Sequence, residues 1–260
     1  MSIAQCTNHY NSAARQPPHA AFMRERRRAH NMVKSAAVRH AVTIGTGRVP
    51  YRVLDLACGR GGDYVKHANS NCCAAYYGID VAHEAIMELE RRARECPKVP
   101  EVHVRCGHAA RDVHWESVDA DICTVNFAIH YFCDTRENIS ALLRTASNCL
   151  RPNGILCGTY MDFTYLPDCA DASVKGKWPK AHTIEKKPFG HVYHYKMGQC
   201  VDAPEYIVHF PTILKIAASH DLYLCMDRSF SGYLGDGGAC QPGQRVFMLR
   251  KCPTECRTPA

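Results

Sequence analysis

The stretch Val53–Asp63, VLDLACGRGGD, decides the fold. It begins as an apolar run typical of a buried strand and ends in a loop that contains Gly59, Gly61 and Gly62. Glycines at such a place let the backbone approach a nucleotide-like ligand closely. A dinucleotide-binding loop follows the pattern G-x-G-x-x-G, whereas Tyr64 occupies the third glycine position here. The stretch therefore predicts a strand, a ligand-binding loop and a helix, and it disfavours a dinucleotide as the ligand.

Around this stretch, strand and helix patterns alternate. Strand patterns cover 51–57, 74–80, 101–107, 120–127 and 154–161, and helix patterns cover 21–41, 62–69, 82–96 and 137–150. This alternation is typical of an α/β, doubly wound, Rossmann-like fold with a mostly parallel sheet. Two further strand patterns, at 222–230 and 244–251, are predicted to form an antiparallel pair that closes the sheet.

The chain is predicted to fold as a single domain over 21–252, because 260 residues with 46% hydrophobic content can bury one full core. Within it, glycine, proline and lysine interrupt the alternation over about 163–203, which predicts a small insertion. Residues 1–20 are polar and interrupted by proline, so they are predicted to form a disordered arm, and 253–260 to form a tail.

Composition excludes several classes of protein. The chain has no apolar run of about 18 residues that could span a membrane, and its start lacks the apolar core of a signal peptide. Its 16 cysteines are scattered, many of them within apolar strand patterns, as expected for reduced cysteines in an intracellular protein. Cys252 and Cys256 form a lone C-x3-C pair, which is weak support for a metal site, and no metal is expected.

A net charge of +7 includes the basic run RERRRAH at 24–30. Two interpretations stay open for this run: a solvated helix face, or a patch that binds the phosphates of a nucleic acid. The charge alone does not decide between them.

Two acids at strand ends point to S-adenosylmethionine as the ligand of the glycine loop. Asp55 lies just before the loop and is predicted to accept from the ammonium group, directly or through water. Asp80 ends the second strand and is predicted to accept from both ribose hydroxyls. The alternative for both acids is that they only cap turns.

Five segments carry a resemblance to a known family: HNMVKS (30–35), VLDLACGRGGDYVK (53–66), NFAIHY (126–131), FGHVYHY (189–195) and VDAPEYIVHFP (201–211). Together they resemble the mRNA cap guanine-N7 methyltransferases of cells and large DNA viruses, over about 22–251. The resemblance implies a class I methyltransferase fold with a seven-stranded sheet. It also implies transfer of a methyl group from S-adenosylmethionine to N7 of the guanine in GpppRNA.

The resemblance assigns roles to individual residues. It implies that Lys34 contacts the methyl donor, that Lys66 and Arg92 contact the cap phosphates, and that Glu205 holds the N1/N2 edge of guanine. The cofactor-binding residues are predicted to be Lys34, Asp55, Gly59, Gly61, Asp80, Asp112, Asn126 and Phe127, and the cap-binding residues Asn31, Lys66, Arg92, His130, Tyr131 and Glu205, with Phe127 also near the guanine. No catalytic acid or base is expected, because guanine N7 already carries a lone pair and the sulfonium methyl group is activated.

Several of these residues have an alternative interpretation. On spacing alone, Asp202–Glu205 is better interpreted as a helix N-terminus with a capping-box glutamate. Lys66 could be a surface lysine, and His130 and Tyr131 could be satisfied polar groups at a strand end.

The chain also departs from the family pattern in three places. His108 stands where the family has an acid that reads adenine, which leaves Asp112 or a backbone group for that role. Tyr160 or Met161 is expected to line the cap slot. Gln244 lies near the position of a tyrosine that touches the cap.

Two other functions stay open on the sequence: a methyltransferase for small molecules, and an inactive subunit that binds cap or RNA. The predicted partner is capped RNA, and the protein is expected to be a monomer without membrane or metal. A stimulatory subunit or other capping enzymes are left open. The short arm before the domain favours a stand-alone viral enzyme of the host cytoplasm, with the nucleus as the alternative compartment.

Overall fold

The computed structural model describes residue 8 and residues 21–115, 118–169, 171–197, 201–234 and 240–253. Its seven α-helices in these ranges are α1 (Ala21–Ile44), α2 (Tyr64–Ser70), α3 (His83–Glu95), α4 (Arg136–Cys149), α5 (Ala181–Lys186), α6 (Phe210–Ala218) and α7 (Phe230–Leu234). Its strands are β1 (Tyr51–Leu56), β2 (Cys73–Asp80), β3 (Glu101–Cys106), β4 (Ala120–Val125), β5 (Leu150–Met161), β6 (Ala172–Ser173), β7 (Val192–Met197), β8 (Val201–Tyr206), β9 (Leu222–Ser229) and β10 (Gln244–Lys251). Short 3₁₀ helices cover Ile129–Phe132 and Phe163–Asp168.

Seven strands form the main sheet in the order β3-β2-β1-β4-β5-β10-β9. Strands β1 to β5 pair in parallel, and β10 pairs antiparallel with both β5 and β9. The order reverses between β1 and β4, which is where doubly wound sheets open a crevice at the strand ends. The predicted fold class and the antiparallel C-terminal strand are confirmed. The predicted helices at 62–69, 82–96 and 137–150 are also found, shifted by at most two residues at either end.

Helices cover both faces of the main sheet. On one face, α1, α2 and α3 bury Val33, Tyr64 and Leu89 against the sheet. On the other face, α4 and α6 bury side chains such as Leu142 and Ile213. Each such burial contributes about 1.5–3 kcal/mol, so the two layers fix the strand ends firmly. Among the described residues, no helix is long and apolar enough to cross a membrane.

A second, three-stranded antiparallel sheet (β6-β7-β8) forms within the segment predicted to be an insertion. Tyr193 and Tyr195 of β7 are buried there in a small apolar cluster of their own. Strand β8 reaches Tyr206, three residues beyond the predicted end of the insertion.

Strand β8 corrects the prediction that Asp202–Glu205 begins a helix. Its residues pair with β7 from Val192↔Tyr206 to Met197↔Val201. Pro204 lacks the N–H that a central strand needs, but β8 is an edge strand, where proline is tolerated. Pairing with β7 therefore outweighs the local capping signals.

The thirteen cysteines in the described ranges are all free. Those ranges also contain no group of three or more His, Cys, Asp or Glu side chains that could hold a metal ion. Cys256 of the C-x3-C pair lies outside the described residues, as do the predicted tail from residue 254 onward and the predicted arm apart from residue 8.

Candidate functional site

A cleft with a volume of about 470 Å³ opens beyond the carboxyl ends of the central strands of the main sheet. Its size is that of a small-molecule binding site. The three-stranded sheet and the middle of α1 form its other walls. Eight of the predicted site residues line it: Lys34, Gly59, Asp80, Asn126, Phe127, His130, Tyr131 and Glu205.

Gly59 and Asp80 form the floor of the cleft where β1 and β2 end. Gly59 has a φ of +52°, which favours glycine, and an added Cβ would meet no atom within 4 Å. Its N–H donates to Asp80 Oδ2 at 2.8 Å, and the Ala82 N–H donates to Asp80 Oδ1 at 2.9 Å. Burial raises the pKa of Asp80, against the effect of these two hydrogen bonds. Asp80 therefore caps the turn, as the alternative interpretation held, and also faces the cleft.

Gly61 has a different role from the predicted cofactor contact, because it does not line the cleft. Its φ is +71°, and an added Cβ would lie 2.7 Å from Leu89 Cγ of α3. The missing side chain thus lets α3 pack against the loop.

Asp55 lies beneath the loop and does not line the cleft, so the geometry gives no support to the direct one of the two predicted contacts with the donor, direct or through water. Only 1% of its surface is exposed. Its Oδ2 accepts from the Tyr76 hydroxyl and its Oδ1 from the Thr124 hydroxyl, both at 2.7 Å. Burial, with a smaller contribution from Asp63, raises the pKa of Asp55 to about 7.

Asp63 is the acid of this stretch that faces the cleft, and the sequence analysis did not select it. Its Oδ1 accepts from Lys34 Nζ and Lys66 Nζ, each at 2.7 Å, and its Oδ2 accepts from Asn126 Nδ2 at 3.1 Å. Burial alone would raise the pKa of Asp63, but the two lysine charges outweigh it and hold the pKa below its usual range. The signal available in the sequence is the acid that directly follows the glycines of the loop in GGD.

His108 lines the cleft after β3, whereas Asp112, a predicted cofactor ligand, does not. The Asp112 carboxylate accepts from the His108 backbone N–H at 2.7 Å and so holds the loop. Burial lowers the pKa of His108, whose ring packs edge-on against Phe132. Asp112 is therefore placed to position the loop and not to touch a ligand.

Phe127 forms part of the cleft wall after β4, in a strained backbone conformation. Its φ is +53°, which bulky residues rarely adopt, and its N–H donates to Thr159 Oγ1 at 2.8 Å. Lys34 Nζ lies 5.7 Å from the centre of its ring. Strain at this strand end marks the site as one that the surrounding structure holds in place.

His30 is a further cleft residue that the sequence analysis missed. Its ring centre lies 5.0 Å from that of Phe127, and its Nε2 lies 3.1 Å from Gln244 Oε1. Burial lowers the pKa of His30 to about 4, although the hydrogen bond with Gln244 acts in the opposite direction. The motif HNMVKS begins with this histidine, which was the signal available in the sequence.

Glu205 brings a buried carboxylate into the other end of the cleft. It lies opposite Tyr193 in the β7–β8 pair, and the Tyr193 hydroxyl donates to its Oε2 at 2.5 Å. Its Oε1 lies 3.5 Å from His130 Nε2, which has no hydrogen-bond partner among the described residues. Burial lowers the pKa of His130, with Glu205 acting against it. Tyr160, Met161 and Gln244 also line the cleft.

Three predicted cap-binding residues lie outside the cleft. Asn31 is exposed on the outer side of α1. Lys66 Nζ donates to the Gly62 carbonyl and to Asp63 Oδ1, and Lys66 does not line the cleft. Arg92 Nε donates to Glu88 at 2.8 Å along α3. The Lys66 and Arg92 side chains are thus held by partners three or four residues away in the sequence, which the motifs alone do not reveal.

Several known proteins are similar in sequence to this chain. The chain is 28% identical over 211 residues to mRNA cap guanine-N(7) methyltransferase 1 of Oryza sativa subsp. japonica, covering 70% of this chain and 56% of that protein. It is 23% identical over 239 residues to the mRNA cap guanine-N(7) methyltransferase of Schizosaccharomyces pombe, covering 81% and 63%. The chain thus spans about three fifths of the length of these two relatives. Both are cellular proteins, so they give the predicted viral origin no support.

Solved structures support the fold. A magnesium protoporphyrin IX methyltransferase from Synechocystis PCC 6803 with bound SAH matches with a TM-score of 0.62 and 14% identity, over 96% of this chain and 99% of that one. An S-adenosylmethionine-dependent methyltransferase from Clostridium acetobutylicum matches with a TM-score of 0.61 and 13% identity, over 84% and 91%. The family model for the mRNA (guanine-N(7))-methyltransferase domain matches residues 2–242 of this chain. The chain therefore belongs to the mRNA (guanine-N(7))-methyltransferase family.

Proposed function

We propose that the protein transfers the methyl group of S-adenosylmethionine to N7 of the terminal guanine in GpppRNA. One observation carries this proposal beyond family membership. A glycine loop with a strand-end aspartate and a buried glutamate with aromatic neighbours line the same cleft. The first arrangement suits an adenosine-like donor, and the second suits a guanine base.

The residues of the loop side fit S-adenosylmethionine. The Asp80 carboxylate keeps lone pairs for the ribose hydroxyls beyond its two backbone hydrogen bonds. Lys34 is placed to pair with a carboxylate, and Asp63 to accept from an ammonium group. When bound, the donor supplies a methyl group that its positive sulfur has already activated.

The residues of the opposite wall fit guanine. Glu205, buried and held by Tyr193, can accept from N1–H and the N2 amino group together. Adenine lacks this pair of donors and would leave the buried carboxylate without partners, at a cost of about 1–3 kcal/mol or more.

The mechanism requires no proton transfer before the bond forms, so no side chain is assigned as a general base. Positioning of N7 against the methyl group can supply roughly 7–11 kcal/mol of the barrier reduction. The guanine gains positive charge as the bond forms, and Glu205 is placed to offset it. Burial lowers the pKa of His30 and of His130 and keeps both rings neutral near pH 7. Neither ring therefore adds a positive charge next to the one that forms on guanine.

We propose further that 21–252 form one methyltransferase domain and that its insertion completes the cap pocket. Capped RNA is the proposed partner, and the protein is proposed to act as a monomer in the nucleus or the cytoplasm. Gel filtration with light scattering tests the monomer.

The proposed function is tested with radiolabelled S-adenosylmethionine and four acceptors: GpppRNA, GpppG, ApppG and uncapped RNA. We expect label in the two guanine-capped acceptors only. Glu205→Gln replaces an acceptor with an amide that faces the guanine donors, so its kcat/KM should fall roughly 30- to 150-fold, from about 2–3 kcal/mol. Its affinity for S-adenosylhomocysteine, measured by calorimetry, should stay near that of the wild type.

Glu185→Gln is the matched control, because Glu185 is exposed on α5, in the same insertion but away from the cleft. Wild-type rates for Glu205→Gln would contradict the assigned guanine pocket. Absence of S-adenosylhomocysteine binding to the wild type would instead indicate an inactive cap-binding subunit.

A further inference from the structure

A groove runs along the outer side of α1 and meets the cleft at the glycine loop. We call it the basic groove, and it is lined by Arg24, Arg27, Arg28, Asn31, Met32, Ser35, Ala36, Arg39, Gly62, Val65, Lys66, Tyr233 and Leu234. Five of these residues are cationic and none is acidic. Arg27 and Gly62 line both the groove and the cleft. The two sites are therefore continuous.

The arginines of α1 form one face of the helix. Arg24, Arg28 and Arg39 are separated by 4 and 11 residues, a spacing that returns to the same side of a helix with 3.6 residues per turn. They extend over about 22 Å of helix axis at 1.5 Å per residue. All three are exposed.

Within the part of the chain that the structure describes, these arginines differ from the other cations around the loop in having no acidic partner. No ion pair among the described residues involves Arg24, Arg28 or Arg39. In contrast, Arg26 on another side of α1 pairs with Asp171, and Arg91 and Arg92 pair with Glu88. A row of unpaired positive charge beside a cleft raises the local concentration of anions and suits a ligand with regularly spaced negative charges.

Lys66 and Tyr233 add features that favour RNA over other polyanions. Lys66 lies where the groove meets the loop, with Nζ on the Gly62 carbonyl and Asp63. Tyr233 lines the groove with a half-buried ring, and the Arg228 guanidinium lies 5.1 Å from the centre of that ring. An aromatic side chain among cations is the combination that binds single-stranded nucleic acid, by stacking of bases and contact with phosphates.

We propose that the basic groove binds the single-stranded RNA that follows the cap, with its first phosphates near Lys66 and Arg27 and its later phosphates along Arg28 and Arg39. This inference rests on the proposed function, because it takes the cap guanine to occupy the cleft. It also assigns a role to Lys66 and Asn31, which lie in the groove and outside the cleft.

The test compares the double variant Arg28→Ala/Arg39→Ala with the control Arg136→Ala/Arg144→Ala. The control arginines are exposed on α4, on the opposite face of the main sheet, so both variants lose the same charge. The measured quantity is the ratio of kcat/KM for long GpppRNA to kcat/KM for the dinucleotide GpppG, at several salt concentrations.

We expect the ratio to rise with RNA length in the wild type and to fall about tenfold or more in the groove variant, but not in the control. Binding of uncapped RNA, followed by fluorescence anisotropy, should show a smaller slope of log K against log salt in the groove variant. The loss should be about 0.7 for each phosphate contact, or roughly 1.4 for the pair.

Equal ratios in the groove variant and the control would overturn the proposal that the basic groove binds RNA. A wild-type kcat/KM that does not depend on RNA length would overturn it as well. Failure of the wild type to methylate GpppG would instead count against the proposed function. The anisotropy measurement with uncapped RNA tests the groove in either case, because it requires neither the cap nor the donor.

Discussion

Asp63 gathers Lys34, Lys66 and Asn126 at the edge of the cleft, while Asp55, eight residues earlier, is enclosed beneath the loop by two hydroxyl groups. The first is exposed to a ligand and carries the charge that an ammonium group needs. Both oxygens of the second also accept hydrogen bonds, but Asp55 is only 1% exposed and does not line the cleft. We therefore expect donor binding to depend on Asp63, and Asp55 to support the strands below the loop.

Asp63→Asn should raise the Kd for S-adenosylhomocysteine by about 10- to 100-fold, because a charge-assisted hydrogen bond contributes about 1.5–3 kcal/mol. Asp55→Asn should change this Kd by less than about threefold and should act on stability instead. Calorimetry on both variants decides between them. If Asp55→Asn lost as much affinity for the donor product as Asp63→Asn, the result would indicate that Asp55 contacts the ligand.

Sequence spacing could identify the glycine loop and Asp80, because the strand pattern fixes where β1 and β2 end. It could not separate Asp55 from Asp63, since both flank the same loop and the hydroxyls of Tyr76 and Thr124 come from β2 and β4, which only the folded sheet brings to either side of β1. Glu205 could be proposed only through the family resemblance. The contact that places it, with Tyr193, forms only when β7 and β8 pair.

Three glycines around β1 have similar backbones, Gly47 before the strand and Gly59 and Gly61 in the loop after it. Gly47, Gly59 and Gly61 all have positive φ, at +64°, +52° and +71°. An added Cβ would meet nothing within 4 Å at Gly47 or Gly59, but would meet Leu89 at Gly61. Alanine substitutions at these three positions therefore distinguish the effect of backbone strain from the effects of helix packing and of ligand binding.

Gly47→Ala should cost about 1–2 kcal/mol of unfolding free energy, from the left-handed backbone alone. Gly61→Ala should cost about 1–3 kcal/mol more, because α3 must move away from the loop. Gly59→Ala should match Gly47→Ala in urea unfolding but should bind S-adenosylhomocysteine more weakly, since its methyl group would occupy space next to the cleft. Equal stability of the Gly47 and Gly61 variants would contradict the packing role of Gly61.

The elements of the main sheet follow from local patterns, but those of the insertion do not. Strand and helix periods predicted the bounds of β1 to β4 and α2 to α4 within two residues, whereas β5 begins four residues earlier than predicted. Strand β8 instead carries the signals of a helix start and is extended because β7 pairs with it. Short segments of this kind are decided by tertiary contacts and not by propensity.

At the scale of the whole molecule, acid should destabilise the fold through buried histidines. His67 of α2 is fully buried, with Nδ1 3.0 Å from the Tyr51 hydroxyl and no partner for Nε2 among the described residues. Burial lowers its pKa from 6.5 to about 4. The unfolded chain then binds the proton more readily, so the stability from His67 is complete above pH 6.5 and is lost as the pH falls towards 4. Asp55 acts with the opposite sign, because its raised pKa gives stability at low pH that is lost as the pH rises to about 7.

His67→Gln removes the titration and keeps an acceptor for Tyr51. Between pH 7.5 and pH 4.5, the free energy of unfolding of His67→Gln should fall by about 2–3 kcal/mol less than that of the wild type. This difference follows because the pKa of His67 is lowered by about 2.5, and each pKa unit corresponds to about 1.36 kcal/mol. His83→Gln is the control, because His83 is exposed at the start of α3 and should show the wild-type dependence. Asp55 and His30 are present in all three proteins, so their contributions cancel in the comparison. Urea unfolding at the two pH values measures the difference. Equal losses of unfolding free energy in the wild type and in His67→Gln would mean that His67 is protonated as easily in the folded protein as in the unfolded chain.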